Sequence, residues 1–364
     1  RFTEARALAE PLIARAVEVG YTRGEAFARE QLATALDLGG DTVATERAYH
    51  DALSSALASG SAEIVVRASL GLIWITADPS RPLIEADRWY AHGKGALARM
   101  GGDPELAAEL ERSLGQAYLQ HGDPRRAEAH VRESLRIREE AFGPDDESIS
   151  AAASTMGQLL AAQGKPAESR AAFERALAIT EARTGPAHPD MAAGLANLGS
   201  AWAESGEYAK AIGYFERALA IDIAALGPDH VRNAIGHHNL GSALGEAGRL
   251  DEARVHARRE LEIVERAQGP EHVDVASAIA NLADFDAEEG NEQAALEGFL
   301  RAYEIARKST GGDGLQAALY QSKAARSMLA LGRAGEAVEI VRKVLAIRRA
   351  ALGDEHPSVG DSHI

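Results

Sequence analysis

The 364-residue chain has no cysteine, which removes a disulfide framework and any thiolate metal site and suits a reducing, cytoplasmic compartment. Positive charge is in short supply: 39 Lys and Arg stand against 55 Asp and Glu, a formal net charge of -16. A phosphate-backbone partner needs clustered Lys and Arg to displace counterions, so no nucleic acid is expected. Aromatics make up only 5% of the residues; Ala, Leu, Glu and Arg dominate, the bias of closely packed helices. Long apolar runs are missing as well. The most apolar stretch, EIVVRASLGLIWITA, is broken by Arg67 and falls short of the roughly 18 uncharged residues a spanning helix needs, so no membrane partner is expected. The chain opens on Arg1 with no basic-then-apolar leader, and is read as an excised or processed piece of something longer.

Catalytic constellations are equally scarce. There is no HExxH, no GxSxG and no P-loop. HGKGALA, from His92 to Ala98, mimics a glycine-rich phosphate loop but lies inside a helical pattern with no strand before it. DFD at 284–286 has no HRD to accompany it. The chain is expected to be non-catalytic and to carry no cofactor or metal.

What the sequence does contain is a period. LANLGS at 195–200 returns as HHNLGS at 237–242 and IANLAD at 279–284, a step of 42. The same step joins Ile137, Ile179, Ile221, Ile263, Ile305 and Ile347, and two glycine series: Gly122, Gly164, Gly206, Gly248, Gly290, Gly332 and Gly101, Gly143, Gly185, Gly227, Gly269, Gly311, Gly353. A fixed period of this size marks a repeat architecture. In the unit that starts at Gly185, Leu195, Leu198 and Trp202 recur at three and four, one face of a first helix; Ala211, Phe215, Ala218 and Leu219 continue the period in a second. Gly206 would end the first helix in the left-handed conformation, and Pro189 suits the first helical position. Such a hairpin cannot bury its own apolar face and must stack on its neighbours. Ala127, Ala211, Ala253, Ala295 and Ala337 share one column, small where paired helices touch, with Ser169 the exception.

The pattern Leu198, Gly199, Trp202, Ala211, Phe215, Ala218 resembles the tetratricopeptide repeat, and the 42-residue form with ALGPDH loops and NLG first helices is similar to the kinesin light chain variety. The resemblance covers residues 104–350 and implies an all-α fold, a right-handed superhelical solenoid of antiparallel helix pairs. Against the ordinary 34-residue repeat, eight extra residues imply about one more turn on each helix. Three segments are expected: 1–100, a leading helix at about 3–19 plus divergent repeats at about 24–57 and 62–99, where Gly40, Tyr49, Leu70, Gly71 and Trp74 imitate the pattern; 101–350, six regular repeats; and 351–364, the start of a further, truncated repeat.

Histidines 188, 230, 272 and 356 recur in the loops. Equivalent loops stand at least a helix-packing distance apart, about 8–10 Å, too far to share an ion, so a role at the helix start is expected. His237 and His238 point to different faces and make poor joint ligands. The strongest candidate site is a polar stripe along the first helices: Asn197, Ser200 and Glu204; Asn239, Ser242 and Glu246; Asn281, Asp284 and Glu288. By resemblance this face lines a concave groove where an asparagine grips a peptide backbone; otherwise the amides bond to neighbouring helices and the glutamates are simply solvated. Lys323 and Arg326 interrupt the stripe, either to hold a carboxylate or to neutralise Asp284 and Glu288. Asp286 replaces the large residue found at Trp74, Tyr118, Trp202, Leu244 and Met328, so the repeat around it is expected to pack less well.

Three functions follow: a scaffold that binds a protein or an extended, basic peptide segment; the regulatory or sensor segment of a larger bacterial signalling enzyme, since divergent repeats followed by regular ones resemble the region after the catalytic domain of large serine/threonine kinases; or self-association through the terminal repeats.

Overall fold

The computed structural model describes residues 2–38, 42–78, 81–309 and 312–353. Gly40, Gly311, His356 and the expected truncated repeat beyond Gly353 lie outside them. Contacts divide the chain into two compact units, Arg1–Pro186 and Ala187–Ile364. Every regular element among the described residues is a helix.

Unit 1 carries α1 (Phe2–Glu18), α2 (Thr22–Leu38), α3 (Thr42–Ser59), α4 (Ala62–Thr76), α5 (Leu83–Arg99), α6 (Pro104–Gln120), α7 (Pro124–Phe142), α8 (Ile149–Ala162) and α9 (Pro166–Thr184). Consecutive helices pack in pairs, and Leu72, Ile73, Leu110, Leu114 and Leu159 lie fully buried among them. In the divergent part the Tyr49 ring of α3 covers Gly71 of α4, so closely that a β-carbon there would stand 2.3 Å from it. Arg138 is buried and bonds Glu109 at 2.8 Å, joining α7 to α6.

Unit 2 carries α10 (Met191–Ala203), α11 (Tyr208–Leu226), α12 (Asn233–Glu246), α13 (Leu250–Gln268), α14 (Val273–Glu288), α15 (Glu292–Ser309), α16 (Leu315–Ala330) and α17 (Ala334–Leu352). The turn inside each hairpin is built by one device. At Gly206, φ is +75°, the Glu207 amide donates to the Trp202 carbonyl at 3.0 Å, and the Gly206 amide donates to Ala203 at 2.8 Å, a Schellman closure of α10. The second glycine series does different work: Gly227 closes α11 at φ +85°, ψ 157°, a region open essentially to glycine alone.

These turns set two helices of unequal length. The second helices α9, α11, α13 and α17 have 19 residues each, whereas α10 and α12 have 13 and 14. The longer period is therefore not shared equally between the helices. Part of each unit is taken by the loop before the first helix, and Pro189 lies in that turn, two residues ahead of α10, where its carbonyl accepts from the Ala192 amide.

The alanine column is the contact between paired helices: Ala127, Ala211, Ala253, Ala295 and Ala337 are at most 1% exposed. Ser169 fits because its hydroxyl donates to the Gly157 carbonyl of the facing helix at 2.8 Å, leaving no buried donor unpaired. Gly199 admits the Phe215 ring, which would stand 2.8 Å from a β-carbon there. A buried Phe is worth about 1.5–3 kcal/mol relative to an exposed one, so this glycine contributes through what it lets pack.

Asp286 does not loosen its repeat. Its neighbour Phe285 turns into the core, 7% exposed, against Gly245 of α12, while Asp286 accepts from Arg254 at 2.8 Å. The large side chain has moved one position along the helix, and a salt bridge takes its old place.

Candidate binding face

Within unit 2 the first helices of successive repeats lie side by side: α10 touches α12, a His238–Asn281 hydrogen bond joins α12 to α14, and a Lys323–Asp284 ion pair joins α14 to α16. Helical spacing brings Asn197 and Ser200 to one face of α10, with Glu204 capping its C-terminal end and the corresponding residues of α12 and α14 beside them.

The eleven residues of the stripe fall into two groups. Asn197 and Asn239 are partly exposed, and neither side chain makes a hydrogen bond to another group among the described residues. Ser200 bonds back to the Ala196 carbonyl of its own helix at 3.1 Å, and Ser242 is exposed. Glu204 and Glu246 are exposed, the latter accepting from Tyr208 Oη at 3.2 Å. This half presents two amides with donor and acceptor available together, edged by carboxylates.

The other half is internally engaged. Asn281 Nδ2 lies 2.9 Å from His238 Nδ1 and 3.4 Å from Glu260 Oε2. Lys323 Nζ donates to Asp284 Oδ2 at 2.5 Å, which assigns Lys323 the neutralising role. Arg326 is exposed and has no ion pair among the described residues. Glu288 is pushed above the usual carboxylate range by partial burial and by its neighbours Asp284 and Glu246. Three carboxylates from two helices therefore crowd one edge, with a single lysine set against them.

Other residues of the face escaped the sequence reading. Ile235 stands four residues before Asn239 and is 66% exposed; Leu319 stands four before Lys323 and is 45% exposed. Together they set apolar side chains beside the amide row, and counting back by four from the stripe would have found them. His238 and Glu260 had no such signal, because their meeting depends on how α12, α13 and α14 pack. His237 faces the other way, as its adjacency to His238 requires, and its Nδ1 lies 2.9 Å from His256 Nδ1.

The loop histidines act at helix starts. The Nδ1 atoms of His188, His230 and His272 each accept from the backbone amide two residues on, at 3.2 Å. Among the described residues no three His, Asp or Glu side chains are placed to hold a metal ion, and no helix is long and apolar enough to cross a membrane.

A family model described as tetratricopeptide repeat matches residues 106–182, 148–224, 190–266, 232–308 and 274–350. No curated protein matches the sequence. Among solved structures, the chain is similar to a kinesin light chain with nearly identical TPR-like repeats from Podosopora anserina, at 21% identity over 57% of this chain and 98% of that one, with a TM-score of 0.51. It is similar to BtubC (BKLC) from P. vanneervenii at 23% identity over 64% of this chain and 90% of the other, TM-score 0.50. A signal transduction ATPase with numerous domains and a tetratricopeptide repeat sensor, from Pyrococcus horikoshii, matches 98% of this chain with 55% of its own, at 15% identity and a TM-score of 0.62. At these identities the likeness is one of fold.

Proposed function

This chain belongs to the tetratricopeptide repeat family, and from that premise we propose that it is a non-catalytic scaffold whose unit 2 binds an extended, basic protein segment along α10 and α12. The observation that carries the reading is the contrast within the stripe: Asn197 and Asn239 keep their amides uncommitted among the described residues, while Asn281 and Lys323 are engaged. A partly buried amide left without a fold partner is suited to a ligand's backbone, which offers both an N–H and a C=O.

Adjacent packed helices stand about 8–10 Å apart, and an extended chain advances about 3.3 Å per residue. Asn197 and Asn239 would thus grip backbone groups about three residues apart. Ile235 takes an apolar side chain of the segment, and Glu204, Glu246 and Glu288 attract its Lys or Arg. The test is titration calorimetry of the full chain against a panel of Lys-rich peptides, each with one apolar residue. Binding that is indifferent to Asn197→Ala and Asn239→Ala, or that prefers acidic peptides, rejects the reading.

A further inference from the structure

His238 Nδ1 faces two groups that ask opposite things of it. Asn281 Nδ2, a donor, lies 2.9 Å away; Glu260 Oε1, an acceptor, lies 3.3 Å away. One nitrogen can accept from the amide or donate to the carboxylate, not both. With Nδ1 unprotonated, the Asn281 NH2 turns inward to His238 and Glu260 and its Oδ1 faces outward. With imidazolium, Nδ1–H meets the Asn281 NH2 donor to donor at 2.9 Å, and the clash is relieved when the amide turns so that its Oδ1 shares the Nδ1–H with Glu260 and its NH2 faces outward. Glu260 is 7% exposed, so it has little water to turn to when this hydrogen bond is lost.

We propose that His238 is a positioning residue that sets, through its protonation, which end of the Asn281 amide faces the binding face of unit 2. The inference rests on the function proposed above for its consequence, but not for its geometry. The charged and titratable groups on the elements around His238 include Glu260, Arg259 and His256 of α13, Asp284 and Glu288 of α14, His237 and Glu246 of its own helix, Glu216 of α11 and Glu204 at the end of α10. Glu260 favours the imidazolium most strongly, and burial opposes it. Protonation also removes one net negative charge from the acidic edge, so a basic segment binds less tightly in the protonated state.

The chain has five asparagines, which makes selective labelling of their side-chain amides practical. In NMR titrations of the full chain from pH 8 to pH 5.5, the Asn281 NH2 resonances are expected to move with the same midpoint as the His238 ring. In Glu260→Gln both midpoints are expected to fall together, because the carboxylate that favours the imidazolium is lost. Asn281 resonances that stay flat while His238 titrates overturn the proposal, in the wild-type chain alone, so it does not depend on a variant folding. A fluorescein-labelled decalysine provides the binding arm: its affinity should drop several-fold from pH 8 to pH 5.5 in the wild type and less in His238→Gln. An equal drop in both overturns the link to the face. Failure of decalysine to bind at any pH defeats the proposed function, while the amide switch is still decided by the resonances.

Discussion

Phe285 of α14 occupies the space that a side chain on Gly245 of α12 would need: a β-carbon there would stand 2.7 Å from the ring. Gly213, in the middle of α11, has nothing within 4 Å of the same position. Replacing glycine by alanine inside a helix gains up to about 1 kcal/mol, and overpacking a tight site costs about 1–3 kcal/mol. Gly213→Ala is therefore expected to stabilise unit 2 and Gly245→Ala to destabilise it by up to about 2 kcal/mol after that gain. Equilibrium urea melts of both variants check this. Equal stabilisation by the two would mean that Phe285 yields freely.

The asparagines are expected to separate by role. Asn281→Ala removes bonds to His238 and Glu260 and should cost about 1 kcal/mol or more in stability. Asn197→Ala and Asn239→Ala remove no such bond and should leave the melt within about 0.5 kcal/mol of wild type. Each should weaken a bound peptide by about 1 kcal/mol. Thermal melts of the three single variants distinguish a ladder with one structural rung from one in which all three are alike.

Stability should also fall with acid through His237. Burial, followed by the nearby His256 and Arg259, pulls this imidazole down from 6.5 to about 4. A lowered folded pKa means that the unfolded chain binds the proton first. The contribution of neutral His237 is then fully present above pH 6.5 and is lost as the pH falls toward 4. Its ceiling is roughly 3 kcal/mol at 1.36 kcal/mol per unit. Melts between pH 8 and pH 4.5 should show this slope in the wild type and a shallower one in His237→Gln, provided the variant folds at pH 8.

Most of the fold was legible because its determinants are local and recur. Gly206 at φ +75° and the buried Ala211 column repeat at a spacing the eye can follow. The candidate face was legible only as a stripe. Whether an amide in it is free depends on residues from other helices: Asn281 looks like Asn239 in sequence, yet it meets His238 and Glu260 across two helix contacts. Asp286 misled for a related reason. A one-residue shift of the large side chain to Phe285 leaves the helix period almost intact, and the compensating Arg254 lies far back in the preceding repeat's second helix.

Lys323 gives the sharpest test of the acidic edge. It pairs with Asp284 at 2.5 Å on a partly exposed surface, where such a pair is worth at most about 1 kcal/mol. Lys323→Met should therefore cost little stability. It would, however, release Asp284 into the group formed with Glu246 and Glu288, leaving three carboxylates with no lysine against them. A basic peptide should then bind more tightly and respond more steeply to salt, because exposed charges attract through a screened field. The triple change of Glu204, Glu246 and Glu288 to glutamine should do the opposite, weakening the peptide and flattening its salt dependence. Affinities of one Lys-rich peptide measured at about 50 and 200 mM salt for the wild type and both variants decide the matter. If Lys323→Met binds more weakly than the wild type, the lysine contacts the partner itself and the edge is not the attracting element.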